Sequence, residues 1–177
     1  MFKFLSILLC LSLSALSILT RKVVKVTDGD TITILVNNKQ VKIRLNGIDA
    51  PEKGQDYSNK AKEYLSDLVD GKTVKVEIAG KDQYNRILGV VYVGKVNVNE
   101  EMIKAGYAWR YKYNKDSRYL ELQNEAKRKK KGLWSGKDPV GPWQWRKDKK
   151  GNKKRRPRPP LYSIQRIIQV CTLPLCH

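Results

Sequence analysis

Histidine is almost absent from this chain of 177 residues, in which the single copy is His177. This near-absence excludes Ser-His-Asp hydrolases, histidine-dependent nucleases and His-ligated zinc sites. Any catalysis must therefore come from carboxylates, arginine, lysine or tyrosine.

Cysteine is also scarce. Cys10 lies in an apolar N-terminal run, and Cys171 and Cys176 lie in the tail, where they can pair only across a loop too short to hold a core together. The folded domain therefore contains no cysteine, and thiol catalysis is excluded.

Acidic residues are the minority charge, with 17 Asp and Glu against 36 Lys and Arg and a net charge of +19. Such an excess favours a polyanionic partner such as nucleic acid or anionic lipid. The alternative is a generically basic, soluble surface. About half of the excess belongs to residues 137–177, which carry 11 basic and 2 acidic side chains.

Only one long apolar run is present, over residues 4–19, and it is shorter than the ~20 residues of a spanning helix. It follows Lys3 and ends near Ala15-Leu16-Ser17, so it predicts a cleaved signal peptide at residues 1–17 and a secreted or periplasmic protein. Basic residues just after the run leave an uncleaved membrane anchor as the alternative.

Strand-like alternation dominates residues 22–94, and helical patterns follow. Ser58 is expected to cap the first helix and Asn97 to open the second through a capping box. We predict an α+β, mainly β fold: a five-stranded OB-fold barrel with three helices over residues 18–136. The expected strands lie within 23–36 (two strands), 40–48, 73–80 and 86–93, and the helices within 58–71, 97–106 and 117–131.

The tail, residues 137–177, has a different composition. Five prolines fall within residues 137–160, and nine of the thirteen residues at 146–158 are Lys or Arg. This predicts a basic, largely disordered arm that contacts nucleic acid or an anionic envelope surface.

Three clusters of charged residues indicate chemistry: 28–31 (DGDT), 44–52 (RLNGIDAPE) and 82–86 (DQYNR). Carboxylates in a protein that binds anions repel the ligand unless they hold a cation or move a proton. Taken singly, each cluster also suits a plain turn, a solvated acid or an exposed strand arginine.

Five motifs, taken in order, resemble the staphylococcal nuclease (thermonuclease) family. They are VTDGDT (26–31), IRLNGIDAPE (43–52), DQYNR (82–86), VNEEMIKAGYA (98–108) and GLWS (132–135). The resemblance implies an OB-fold, Ca²⁺-dependent phosphodiesterase that acts on DNA and RNA.

The resemblance also implies a role for each matching position. Asp30, Asp49 and the backbone carbonyl of Ala50 match calcium ligands, and Asp28 matches a nearby acid just outside that set. The family often has Thr where this chain has Ala50.

Three further residues match catalytic positions. Glu52 matches the residue proposed to activate water, and Arg44 and Arg86 match the arginines that grip the scissile phosphate. Tyr84, Tyr111 and Tyr113 match aromatic residues of the nucleotide pocket, although packing at the barrel rim is an alternative role for them. Gln83 replaces a frequent lysine.

The resemblance therefore implies a calcium-dependent, sugar-nonspecific nuclease that leaves 3′-phosphate ends, and we expect it to be secreted and monomeric. One alternative is a non-catalytic nucleic-acid-binding OB-fold module. A role of the tail as a membrane or cell-wall tether is compatible with either function.

Overall fold

The computed structural model describes residues 18–155. The predicted signal peptide, residues 156–177 and all three cysteines lie outside the described residues. Within the described part of the chain, no helix combines the length and apolar character needed to cross a bilayer.

A closed barrel forms the centre of the fold. The strands of the described residues are β1 (Ile18–Asp28), β2 (Thr31–Val36), β3 (Lys39–Leu45), β4 (Ile48–Asp49), β5 (Thr73–Lys81), β6 (Ile87–Val93), β7 (Val96–Asn97) and β8 (Trp109–Arg110). The five longer strands follow the order β3-β2-β1-β5-β6, and a parallel pairing of β3 with β6 closes the sheet. The predicted α+β class and five-stranded OB-fold barrel are confirmed.

Strand β1 is longer than predicted, because it begins at Ile18 rather than near residue 22. Its first part pairs with β5, from Ile18 opposite Glu77 to Lys22 opposite Thr73. Its second part pairs with β2 across two irregularities of register. One strand thus serves two neighbours, which lets a short sheet curl into a barrel.

Branched aliphatic side chains fill the barrel, as expected for strands packed on one closed core. Helical residues cover the barrel, and those of the first helix include Ala61, Leu65 and Val69. The fully buried strand residues include Ile32, Ile34, Ile43, Leu45, Val74, Val76 and Val91.

The helices are α1 (Ser58–Val69), α2 (Val98–Lys104), α3 (Ser117–Arg128) and α4 (Pro142–Arg155), with a 3-10 helix at Gly132–Ser135. Asn97 caps α2 as predicted, because its side chain accepts a hydrogen bond from the Glu100 amide. Ser58 is not the cap of α1. Tyr57 precedes that helix with a φ of 64° and makes no side-chain capping bond.

Helix α4 corrects the expectation of three helices and of a largely disordered tail over residues 142–155. Pro142 is tolerated because it occupies the first helical position. Lys, Arg and Gln are good helix formers, and Gln144 bonds to Asp148 one turn later at 2.8 Å. The chain divides into two compact units, the second beginning at Trp143.

Candidate active site

The turn between β1 and β2 brings two acids together. Asp28 Oδ1 accepts a hydrogen bond from the Asp30 amide at 3.2 Å, and the Thr31 hydroxyl donates to Asp30 Oδ1 at 3.0 Å. Gly29 separates the two acids, and no larger residue fits there. A Cβ atom at this position would stand 2.8 Å from the Cβ of Ala61 and 2.9 Å from the Cβ of Ala50. The turn is therefore packed directly against helix α1 and the segment after β4.

Arg44 joins two buried acids that come from different segments. Its Nη1 forms an ion pair with Asp30 Oδ2, and its Nη2 lies 2.9 Å from Asp49 Oδ1. Strand pairing explains the first contact, since Arg44 lies opposite Thr31, the residue next to Asp30. The Ala50 amide also donates to Asp30 Oδ2 at 3.1 Å.

The ion pair sets the charge state of its members. Burial alone would raise the pKa of Asp30, but the Arg44 guanidinium and the hydrogen bonds from Arg44, Ala50 and Thr31 lower it overall. Burial likewise opposes the charge on Arg44, yet Asp30 and Asp49 raise its pKa. Both sides of the pair therefore stay ionised at neutral pH.

The pKa of Asp28 shifts in the opposite direction from that of Asp30. Burial and then the nearby negative charge of Asp30 raise the pKa of Asp28 to about 6. Asp28 thus adds a third carboxylate beside Asp30, whereas Arg44 contacts only Asp30 and Asp49, so the local balance of charge favours a further cation.

The oxygen atoms available for such a cation are two carboxylates and a carbonyl. Across residues 18–155 no cluster of three or more Asp, Glu, His or Cys side chains is placed to hold a metal ion. Asp30, Asp49 and the Ala50 carbonyl offer three oxygen-bearing groups, so a cation held there would need further oxygens from water or phosphate. That donor chemistry suits Ca²⁺, which takes six to eight oxygens.

Glu52 follows Pro51 in the loop after β4 and is partly buried. Its backbone amide donates to Gln55 Oε1 at 3.0 Å. Glu52 therefore lies three residues beyond Asp49 in a loop held by hydrogen bonds.

Arg86 is held by an acid of its own loop. Its Nε lies 2.6 Å from Asp82 Oδ2, and its backbone amide donates to Asp82 Oδ1 at 2.9 Å. Both Nη groups are left without a hydrogen-bond partner among the described residues. Because Ile87 pairs with Ile43 in the parallel β3–β6 contact, Arg86 lies just before β6, beside the strand that carries Arg44.

The three predicted nucleotide-binding tyrosines lie in two places. Tyr84 is 71% exposed. Its ring lies under the Arg86 guanidinium, with 5.5 Å between the guanidinium carbon and the centre of the ring. Tyr111 and Tyr113 form an edge-to-face pair with ring centres 5.4 Å apart. The short β4–β8 ladder pairs Asp49 with Trp109, two residues before Tyr111.

The structure thus brings Asp28, Asp30, Arg44, Asp49 and Ala50 into one cluster. Glu52 follows Ala50 within two residues, and Arg86 and Tyr84 form a second group. Sequence reasoning assigned no role to Thr31, Gln55 or Asp82, although each bonds to a predicted site residue. The signal for Asp82 was its place in the DQYNR motif, whereas nothing in the sequence marked Gln55.

The described residues thus form a closed OB-fold barrel with buried acids around an arginine. A family model described as staphylococcal nuclease homologue matches residues 42–136. The chain belongs to this family.

Relatives extend the match over most of the chain. A Haemophilus influenzae protein described as an uncharacterized endonuclease is 50% identical over 135 residues, which cover 75% of this chain and 76% of the relative. An Escherichia coli protein with the same description is 52% identical over 127 residues, which cover 71% and 83%. A Shigella flexneri protein described as micrococcal nuclease is 38% identical over 157 residues, which cover 82% and 90%.

Proposed function

We propose that this member of a nuclease family is a secreted, calcium-dependent endonuclease that hydrolyses phosphodiester bonds of DNA and RNA without preference for the sugar. The observation that carries the proposal is the buried Asp30–Arg44–Asp49 cluster, with Glu52 three residues farther along the chain. The relatives described as endonuclease and micrococcal nuclease support the reaction class.

In this mechanism Glu52 accepts a proton from the attacking water, whose oxygen forms a new bond to phosphorus. The bond from phosphorus to the 5′ oxygen breaks, and that oxygen takes a proton from solvent water, which leaves a 3′-phosphate and a 5′-hydroxyl. Arg44 and Arg86 bind phosphate oxygens through their planar forks and stabilise the negative charge that grows in the transition state.

Asp30, Asp49 and the Ala50 carbonyl would hold the calcium ion. When bound, Ca²⁺ supplies positive charge that polarises a phosphate oxygen and favours ionisation of nearby water. Asp28 adds negative charge beside these residues, since its side chain accepts a hydrogen bond from the Asp30 amide.

Stacking on tyrosine rings would suit an enzyme that cleaves without sequence preference. Tyr84 and Tyr113 are largely exposed, and an aromatic face accepts any base. The basic tail would raise affinity for the phosphate backbone, and more strongly at low salt than at high salt.

The central test uses the full chain on single-stranded DNA, double-stranded DNA and RNA, with Ca²⁺ or with a chelator. We expect cleavage of all three in Ca²⁺ and none in chelator. Full activity in chelator would contradict the metal requirement, and tight binding without cleavage in Ca²⁺ would favour the non-catalytic module.

Glu52→Gln tests the proton acceptor. We expect a loss on the order of a hundredfold or more in rate, because the amide cannot take the proton, while the variant remains folded. Asp56→Asn is the matched control, since it makes the same change at an exposed acid four residues away. Equal losses in the two variants would argue for a general effect of charge in this loop.

Export is tested separately, by mass spectrometry of the mature amino terminus and by cell fractionation. A mature chain that begins near residue 18 in the extracellular or periplasmic fraction is the expected result. A chain that begins at Met1 in the membrane fraction would favour the uncleaved anchor.

A further inference from the structure

Gln55 is a polar residue buried beside the proposed proton acceptor, with 6% of its surface exposed. A buried amide is costly unless both of its ends form hydrogen bonds. Gln55 Oε1 accepts from the Glu52 amide at 3.0 Å, and Gln55 Nε2 donates to the Val140 carbonyl at 2.6 Å. Both ends of the side-chain amide are thus satisfied by the protein itself.

The backbone of Gln55 adds a second bond to the same neighbour. Its amide donates to the Glu52 carbonyl at 2.8 Å, which closes a four-residue turn. Both polar groups of the Glu52 backbone are therefore bonded to one residue. The Gln55 carbonyl accepts from the Ser58 amide at 3.1 Å, so the turn is also joined to the start of α1.

Val140 contributes only its backbone carbonyl to this contact, and the residue as a whole is 46% exposed. It lies 85 residues after Gln55 and beyond residues 42–136, the segment matched by the family model. The loop that carries Glu52 is therefore anchored to a part of the chain that follows the barrel and the 3-10 helix.

We propose that Gln55 is a positioning residue for Glu52, and that residues 137–141 support the active site through the Val140 carbonyl. The proposal rests on the proposed nuclease function, in which Glu52 accepts the proton. Gln55 itself does not touch the substrate. It fixes the backbone from which the Glu52 carboxylate reaches the attacking water.

Two variants of the full chain separate the two bonds. Gln55→Glu keeps an acceptor for the Glu52 amide but turns an oxygen toward the Val140 carbonyl, and Gln55→Met removes both side-chain bonds at similar size. We expect kcat to fall about tenfold in the first and further in the second, with KM within about twofold of the original, because misplaced catalytic groups lose rate rather than binding. Asn59→Asp is the matched control, since it makes the same amide-to-acid change at an exposed position of α1.

Double variants distinguish positioning from a general structural role. Combined with Glu52→Gln, the Gln55→Met change should lower the residual rate less than about twofold, because the group it positions is already lost. Combined with Arg86→Ala, it should lower the rate by the same factor as in the unaltered protein. An equal factor in both backgrounds would overturn the proposal.

Amide hydrogen exchange gives a readout that does not depend on activity. The Glu52 amide should exchange at least about tenfold faster in Gln55→Met, while amides of β2 keep their protection, because only the local bond is lost. Unchanged exchange at Glu52 would overturn the proposal even if the rate falls.

The outcomes also separate this proposal from the function on which it rests. Normal cleavage by the unaltered protein together with unaffected Gln55 variants would overturn the positioning role alone. Failure of the unaltered protein to cleave any nucleic acid would overturn the proposed function, and the positioning role with it.

Discussion

The two arginines of the candidate site are held in contrasting ways. Arg44 lies in the barrel wall, with 16% of its side chain exposed, and joins acids from two other segments. Arg86 lies at the end of a surface loop, with 33% exposed, and its acid Asp82 is only four residues away. Arg44 is therefore part of both the fold and the candidate site, whereas Arg86 belongs to the candidate site alone.

The difference has an energetic basis. Removing one partner of a buried ion pair leaves charges without compensation in a poorly solvated place, which is strongly destabilising. An ion pair within an exposed loop contributes little to stability, because water replaces the lost contact. Losses of activity and of stability should therefore coincide at Arg44 and separate at Arg86.

The largest effect is expected for Arg44→Ala. Asp30 and Asp49 then lie buried without their cation, so the free energy of unfolding should fall by about 3–5 kcal/mol, with activity lost as well. Urea denaturation followed by tryptophan fluorescence measures the first quantity. A loss below about 1 kcal/mol would contradict the structural role assigned to the cluster.

A combined variant sharpens that result. Arg44→Met with Asp30→Asn and Asp49→Asn removes the charges on both sides, so it should regain part of the stability without regaining activity. Recovery of neither would show that packing, rather than charge, dominates at this place.

The next largest effect is expected for Arg86→Ala. The rate should fall on the order of a hundredfold, because one donor to the transition state is lost, while the free energy of unfolding changes by less than about 1 kcal/mol. Arg118→Ala is a control, since that arginine is exposed and also pairs with an acid. A large loss of stability in Arg86→Ala would remove the contrast with Arg44.

A smaller effect is expected for Asp82→Asn, which weakens the contact that holds Arg86. Burial tends to raise the pKa of Asp82, but hydrogen bonds from the Arg86 backbone and side chain and from the Tyr84 amide lower it overall. We expect the rate to fall about tenfold, because Arg86 is no longer held in one orientation. Single-turnover cleavage measures this loss, and a rate equal to that of the original would show that Arg86 needs no anchor.

The same pair predicts a pH dependence with a definite sign. Because the pKa of Asp82 is lower in the folded protein than the unfolded value of 3.8, the pair stabilises above that pH and loses its effect as the pH falls. The stability difference between the original and Asp82→Asn should therefore shrink on acidification below 3.8. A difference that grows toward low pH would contradict the assignment.

Most of the barrel could be predicted from the sequence, because alternating apolar residues and turn residues mark each long strand. The acids and arginines of the candidate site were marked by motifs that are local in the chain, and their roles came only from the family resemblance of those motifs. Strands β4, β7 and β8 were missed because each has two residues, too few to show a period.

Contacts between segments that are distant in the chain could not be predicted from the sequence either. Gln55 bonds to a backbone carbonyl, and any residue type at position 140 supplies that group. Helix α4 was missed because its sequence has no apolar face, although Pro142 at its start and a bond between Gln144 and Asp148 are compatible with a helix. Tyr57 took the place of the expected Ser58 cap through a backbone angle that no side-chain rule indicates.

The smallest effect is expected at the exposed tyrosines. Tyr84→Leu should raise KM about fivefold with little change in kcat. A fivefold change in KM corresponds to the lower end of the ~1–3 kcal/mol attributed to stacking of one base. We expect the lower end because the Tyr84 ring is largely exposed. Tyr84→Phe keeps the ring and serves as the control, with KM within about twofold of the original. Equal KM in Tyr84→Leu and the original protein would assign Tyr84 to packing beneath Arg86. A fall in kcat with unchanged KM would show that the ring orients that arginine.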